Sequence, residues 1–228
     1  PTLVNAADYG IPQKRERVFI VGFRSDLNIE WSFPSPTHGL DALLHSQWIS
    51  GEYWDRHEIP TRKRPEMPER VAARVRKLRA SSLLPIREKS WRTVRDALID
   101  MSYPTMDGSG VFLNHVFQGG ARTYPGHTGS VMDFPAKTLK AGDHGVPGGE
   151  NMMVLDSAEV RYFSVRESAR LQTFPDCYVF HGSWTETMRQ LGNAVPVALA
   201  RQVASSVLLR LGETEMRKNR GLQDRRSA

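Results

Sequence analysis

Cysteine is nearly absent: Cys177 is the single one in 228 residues. A lone thiol cannot form an internal disulfide, and it rules out the thiolate clusters that hold structural zinc or iron–sulfur groups. Histidine does not make up the deficit. His38, His45 and His57 are scattered, and His115, His127 and His144 lie more than ten residues apart in glycine-rich surroundings, so no structural metal is expected. No uninterrupted apolar run approaches the ~18 residues of a membrane span, and no signal-peptide pattern opens the chain, which makes the cytosol the default compartment. An acidic excess is missing too. Lys and Arg number 31 against 25 Asp and Glu, and the resulting +6 favours a polyanionic partner, although many proteins with such an excess bind nothing acidic. The 39% of hydrophobic residues suffices for a modest core in one large or two small domains.

The most informative stretch is Asn5 to Gly22, NAADYGIPQKRERVFIVG. Turn formers Asp8, Tyr9, Gly10 and Pro12 lead into Gln13, Lys14, Arg15, Glu16 and Arg17, and these abut the apolar run Val18 to Val21, which reads as a buried strand ending at Gly22. Two readings of the cations stand open: a solvated turn before a core strand, or an anion-facing fork in which Arg15 and Arg17 direct guanidinium groups into one cleft.

Further along, Asn28 to Gly39 is a Pro- and Ser-rich connector, a short helix is expected over Leu40 to Trp48, and the segment Arg56 to Arg95 is densely basic. Within it, Pro68 and Glu69 open a helix whose Val71, Val75 and Leu78 recur at helical spacing, leaving its arginines for solvent or phosphate. Another helix start is expected near Ser90, with Trp91, Val94 and Leu98 on one face. Asp107 to Gly149 alternates short apolar pieces with Gly, His and Asn and reads as strands and loops, with a turn at Pro147, Gly148 and Gly149. Ser164 with Glu167 three residues on forms a capping box for a helix over Val165 to Gln172. The last helix starts near Val195 and Pro196, presents Val197, Ala200, Val203, Ala204, Val207, Leu208 and Leu211 on one apolar face, and stops at Gly212 before a disordered basic tail, 213–228.

Three strings carry a resemblance. QKRER (Gln13 to Arg17) resembles the Gln-x-Arg-x-Arg motif of the DNA (cytosine-5) methyltransferases, and RYFSVRESARLQTFPD (Arg161 to Asp176) and RQLGNAVPVALA (Arg189 to Ala200) resemble that family's last two conserved blocks, in the expected order. The resemblance is to the C-terminal portion of the bacterial enzymes. It implies an α/β fold, part of a doubly wound S-adenosylmethionine-dependent methyltransferase sheet with an inserted, smaller, mostly β target-recognition domain. The divisions it implies are residues 1–27 in the catalytic domain, 28–160 as connector, basic helical segment and recognition domain, and 161–212 returning to the catalytic domain.

The reaction so implied moves a methyl group from S-adenosylmethionine to carbon 5 of a cytosine flipped out of duplex DNA, where those atoms are otherwise inaccessible. The family's nucleophile sits in a Pro-Cys motif, its acid in Glu-Asn-Val and its main cofactor loop is Gly-rich. None of the three occurs here, and Cys177, in FPDCYVF, has neither the context nor the order of the nucleophile. The chain opens on Pro1 with Asn5 already inside a motif, so it is expected to begin part-way through a longer protein or to be one subunit of a split enzyme. Its partners would be duplex DNA and the complementary N-terminal part holding those three motifs, in a restriction-modification setting at the bacterial nucleoid.

By the resemblance, Arg17 reaches the carbonyl edge of the flipped cytosine, Arg15 pairs with a backbone phosphate, and Gln13 helps hold the turn. Asn193, Gly192 and Val195 lie near S-adenosylmethionine, Gly192 by permitting close approach, although GNAVP read by itself is a turn into a helix. Arg166, Glu167, Arg170 and Gln172 organise the recognition region, with Arg170 a salt-bridging scaffold residue. The recognition region itself falls within Gly108 to Asn151, where Arg122, His127, Lys137, Lys140, Asp143 and His144 are candidates for base readout. A stand-alone DNA-binding module and a purely structural role remain the competing readings.

Overall fold

Strand β1 (Thr2–Asn5) pairs antiparallel with β2 (Glu16–Phe19), Thr2 opposite Phe19 and Asn5 opposite Glu16. The computed structural model describes residues 1–81, 86–141 and 149–224. Between the two strands a 3-10 turn, Ala6–Tyr9, is capped by the Asn5 side chain accepting from the Ala7 amide, and closed by Gly10 at φ 82°. Gly10 is required twice over, since any Cβ there would lie 2.6 Å from the His38 ring and the left-handed backbone disfavours side chains. Val4, Ala6, Tyr9 and Ile11 pack with Leu199, so the two ends of the chain share one small core.

The middle of the chain is helical. Helices α1 (Leu40–Trp48) and α2 (Glu52–Arg56) follow a two-residue strand β3 (His38–Gly39), and α3 (Glu69–Ala80) buries Val71 and Val75 against Leu44. The span of α1 and the start of α3 are those read from the sequence. The helix expected from Ser90 begins later: β4 (Lys89–Ser90) pairs parallel with β3, and α4 (Val94–Ala97) starts only after Thr93, whose side chain forms a reciprocal capping box with Asp96.

A three-stranded sheet follows, β5 (Ser130–Val131) parallel to β6 (Met152–Val154) and β6 antiparallel to β7 (Val160–Tyr162). Elsewhere in 107–141 the expected strands reduce to isolated bridges at Thr105–Val116 and Tyr124–His127. Helix α5 (Val165–Leu171) carries the Ser164–Glu167 capping box, and α6 (Trp184–Asn193) and α7 (Val197–Asp224) are separated by an extended link. The largest core gathers Val94, Ala136, Leu139, Phe163, Leu171 and Leu191. The architecture is mixed α/β with small open sheets and interspersed helices, as expected for part of a methyltransferase fold with an inserted β-containing unit.

Three expectations are corrected. The strand at the QKRER segment is not buried: Val18 is 61% and Ile20 81% exposed, because β2 pairs only with β1 and no described layer covers it. The final helix does not stop at Gly212, which lies outside the positive-φ region; the following Glu213, Met216 and Lys218 are good helix formers and carry the backbone on to Asp224, while 225–228 lie outside the described residues. Nor does α7 pack through the whole apolar face read from the sequence. It docks through Leu199, Gln202 and Ser206, the last two hydrogen-bonded to Tyr9 and Trp31, whereas Ala200, Ala204 and Leu208 are exposed. The turn expected at Pro147–Gly149 falls largely outside the described residues.

Trp184–Thr214 has the length and mean hydropathy, 1.3, of a membrane span. It comprises α6, α7 and the link between them, and its Met188, Leu191 and Leu199 pack into the chain's own cores.

Candidate nucleic-acid interface

The QKRER segment is locked to residues 136–138 by three hydrogen bonds. Ala136 N donates to Pro12 O at 2.9 Å, Lys14 N donates to Ala136 O at 2.8 Å, and Thr138 Oγ1 donates to Lys14 O at 2.6 Å. Gln13 is fully buried beneath this seam, so the backbone of residues 12–14 fastens the turn; neither atom of the Gln13 amide has a protein partner among the described residues.

The two arginines part company. Arg15 is 1% exposed and points inward, where its guanidinium donates to Leu139 O at 3.3 Å and to Gly192 O at 2.7 Å. Burial, with repulsion from Arg17, pushes its pKa down to about 10, so it stays cationic at neutral pH. Arg17 is exposed and donates to Glu16 O at 2.7 Å. The expectation of one shared fork therefore gives way to two jobs: Arg15 ties three segments together through its two terminal nitrogens, which donate to carbonyls, and Arg17 is left at the surface. Regular alternation along a strand would have kept residues two apart on one side; the two diverge because Arg15 lies ahead of β2, which begins only at Glu16, while Arg17 lies within it.

Gly192 is the other half of the clasp. A Cβ there would lie 2.3 Å from Ala141 N and 2.6 Å from Lys140 C, so the end of α6 rests directly on the backbone of residues 140–141. Its close approach is to this chain. Asn193 ends α6 and is exposed, and Val195, 44% exposed, lies in the link to α7. The side chains of both are exposed.

The 161–176 block is a scaffold. Arg161 grips Glu167 through two bonds of 2.7 and 2.5 Å, both side chains nearly dry, while Glu167 also accepts from Ser164 N. Arg166 is fully buried and donates to the carbonyls of Leu113, Pro175 and Tyr178. Arg170 joins Asp176 and Asp100, the salt-bridging role read from the sequence, and Gln172 donates to Leu191 O.

Among the base-readout candidates, Lys140 pairs with Glu150 at 2.7 Å, Lys137 donates to Thr128, and His127 stacks on Tyr124 and faces the same Glu150. Arg122 is exposed, and Asp143 and His144 lie outside the described residues. Among the described residues no group of three or more His, Cys, Asp or Glu could hold a metal ion, and Cys177 is exposed.

Arg17 opens onto a cleft of about 530 Å³ lined by Asn5, Lys14, Glu16, Arg17, Trp91 and Thr138. The Trp91 indole is buried and donates to Asp8 Oδ1 at 2.9 Å, which fixes one wall. Neither Trp91 nor Thr138 was foreseen. Both reach the cleft through long-range contacts, and the only sequence signal was the tryptophan itself, assigned to the face of a helix that begins only at Val94, beyond it.

With this geometry in place, comparison with known proteins is specific. The family described as C-5 cytosine-specific DNA methylase matches residues 1–208. The type II methyltransferase M.Eco47II of Escherichia coli is 32% identical over 210 residues, covering 91% of this chain and 45% of that protein. M.BsuRI of Bacillus subtilis is 29% identical, covering 90% and 41%, and M.MthTI of Methanothermobacter thermautotrophicus 30% identical, covering 90% and 54%. The chain spans about half the length of the curated relatives it matches.

Proposed function

Because this chain belongs to the C-5 cytosine-specific DNA methylases, we propose that it is the DNA-reading and active-site-completing part of an enzyme that methylates carbon 5 of cytosine in duplex DNA. The observation that carries the reading is the placement of Arg17: free at a cleft whose wall is held rigid by the Arg15–Gly192 clasp and the Thr138–Lys14 bond.

In this reading the cytosine is extruded toward that cleft, and Arg17 donates to its ring carbonyl, where negative charge accumulates when a thiolate adds at carbon 6. The thiolate and the carboxylic acid come from a complementary part with Pro-Cys and Glu-Asn-Val motifs. S-adenosylmethionine supplies the methyl group when bound; Asn193 and Val195 form one edge of its site and the Gly-rich loop of the complementary part the rest. Arg15 acts through position, holding Arg17's strand, the recognition segment and the start of the Asn193 link in fixed relation. Residues 28–160 carry recognition, and 1–27 with 161–212 carry the catalytic side. The relatives' type II character supports a place beside a restriction endonuclease.

The uncovered apolar hairpin surface, Leu3, Val18 and Ile20, together with Val197, Ala200, Ala204 and Leu208 on α7, supports a missing neighbour over a stand-alone module. Labelled-methyl transfer to duplex DNA tests this. Activity is expected only when the chain is combined with a part carrying the three missing motifs. Enzymatic turnover by the chain alone, or none in the combination, overturns it.

A further inference from the structure

Several cations of the basic segment are already paired. Arg56 meets Asp96, Arg64 meets Asp55, Arg74 meets Asp41, and Arg79 donates to Trp48 O. Three others, Lys14, Arg17 and Arg70, make no carboxylate salt bridge among the described residues, and they gather at one place. The Lys14 ammonium stands 5.3 Å from the Trp91 ring centroid and 5.7 Å from that of Phe134, and the Arg70 guanidinium lies 5.2 Å from the same Phe134 ring.

Aromatic faces attract cations, so both charges are held in place without being neutralised. One carboxylate, Glu16, borders the same cleft. Trp91 is itself anchored by Asp8, and Phe134 packs among Leu44, Val71 and Val75. The ordering of two long cationic side chains, normally a cost of binding, is thus met before any anion arrives. Two like charges held near each other and short of counter-charge form a site for an anion.

We propose that Lys14 and Arg70, carried by Trp91 and Phe134, form a phosphodiester-binding site that grips the DNA backbone beside the nucleotide entering the Arg17 cleft. This rests on the reading of Arg17 given above and adds to it the particular residues that hold the strand. Arg70 does so from the first turn of α3, across from QKRER, so the phosphate bridges the helical segment and the catalytic turn. Burial and the nearby Arg70 lower the Lys14 pKa, and a bound phosphate relieves that repulsion. Arg76 and Lys77, on the same helix, are exposed and have no aromatic seat, and they contribute only diffuse attraction.

The test is fluorescence anisotropy of a labelled 20-base-pair duplex, with salt titrated from low to physiological strength, using the chain combined with the complementary part, as wild type, Lys14→Gln, Arg70→Gln, the double variant and Arg76→Gln, each checked for unchanged circular dichroism. Each single cleft substitution is expected to lower the slope of log K against log salt by about 0.9, the double by about 1.8, equally for unrelated duplex sequences, and Arg76→Gln by far less. Slopes unchanged in the Lys14 and Arg70 variants, while wild type binds, overturn the site and leave the Arg17 reading intact. Competition by millimolar inorganic phosphate with no change in duplex slope marks a small-anion site and also overturns it. If wild type fails to bind duplex DNA, both this site and the broader reading fall.

Discussion

At the scale of single residues, two arginines two positions apart have opposite fates. In the sequence Arg15 and Arg17 are equivalent, and no periodicity distinguishes the one that enters the protein, because its acceptors, Leu139 O and Gly192 O, lie more than a hundred residues away. The residue types of the site were legible in QKRER and GNAV; their directions were not. Arg15→Met leaves both carbonyls without their donor in a buried setting, and a loss of about 1–3 kcal/mol in urea unfolding is expected for each acceptor that cannot be rehydrated. Gly192→Ala is expected to be worse, since its methyl meets backbone and no flexible side chain can yield. Its thermal midpoint should fall by more than that of Ala194→Gly in the neighbouring link. An unchanged midpoint would show that the backbone of 140–141 can move aside.

At the scale of elements, capping chemistry was the best guide where it took its commonest form. Ser164 and Glu167 marked α5 correctly, whereas Thr93 and Asp96 perform the same exchange around α4 with a shorter acid and were passed over in favour of Ser90. Burial alone would raise the Asp96 pKa; hydrogen bonds from His57 and Thr93, with the Arg56 charge, outweigh it and hold the carboxyl at about 2. A carboxyl depressed on folding stabilises the native state above its unfolded pKa and loses that contribution as pH falls. Stability should therefore decline between about pH 4 and pH 2 by about 2 kcal/mol from this group. Asp96→Asn should flatten that part of the urea-midpoint profile while lowering stability at pH 7. Between β7 and α5, Arg161→Met strands the buried Glu167 carboxylate and is expected to cost about 3–5 kcal/mol, with Arg161→Met/Glu167→Leu recovering much of it.

At the scale of the whole molecule, the apolar pattern of Val18–Val21 and of α7 was read as buried, and in this chain much of it faces outward. Sequence hydrophobicity records what a surface is built to contact without naming the chain that supplies the contact. In the reading proposed above, the exposed hairpin and helix stripe are the surfaces that meet the complementary part. Ile20→Ser and Leu208→Ser are accordingly expected to leave the chain's own unfolding midpoint within about 0.5 kcal/mol, as exposed changes do, yet to weaken co-purification with a complementary part. The central claim is that Arg17, alone among the QKRER cations, meets the reacting base. Single-turnover methyl transfer by the combined enzyme tests it most directly. Arg17→Gln should keep the wild-type unfolding midpoint and lose about 10²–10³ in rate, the usual worth of one donor at a developing charge; a variant that methylates at the wild-type rate contradicts the account.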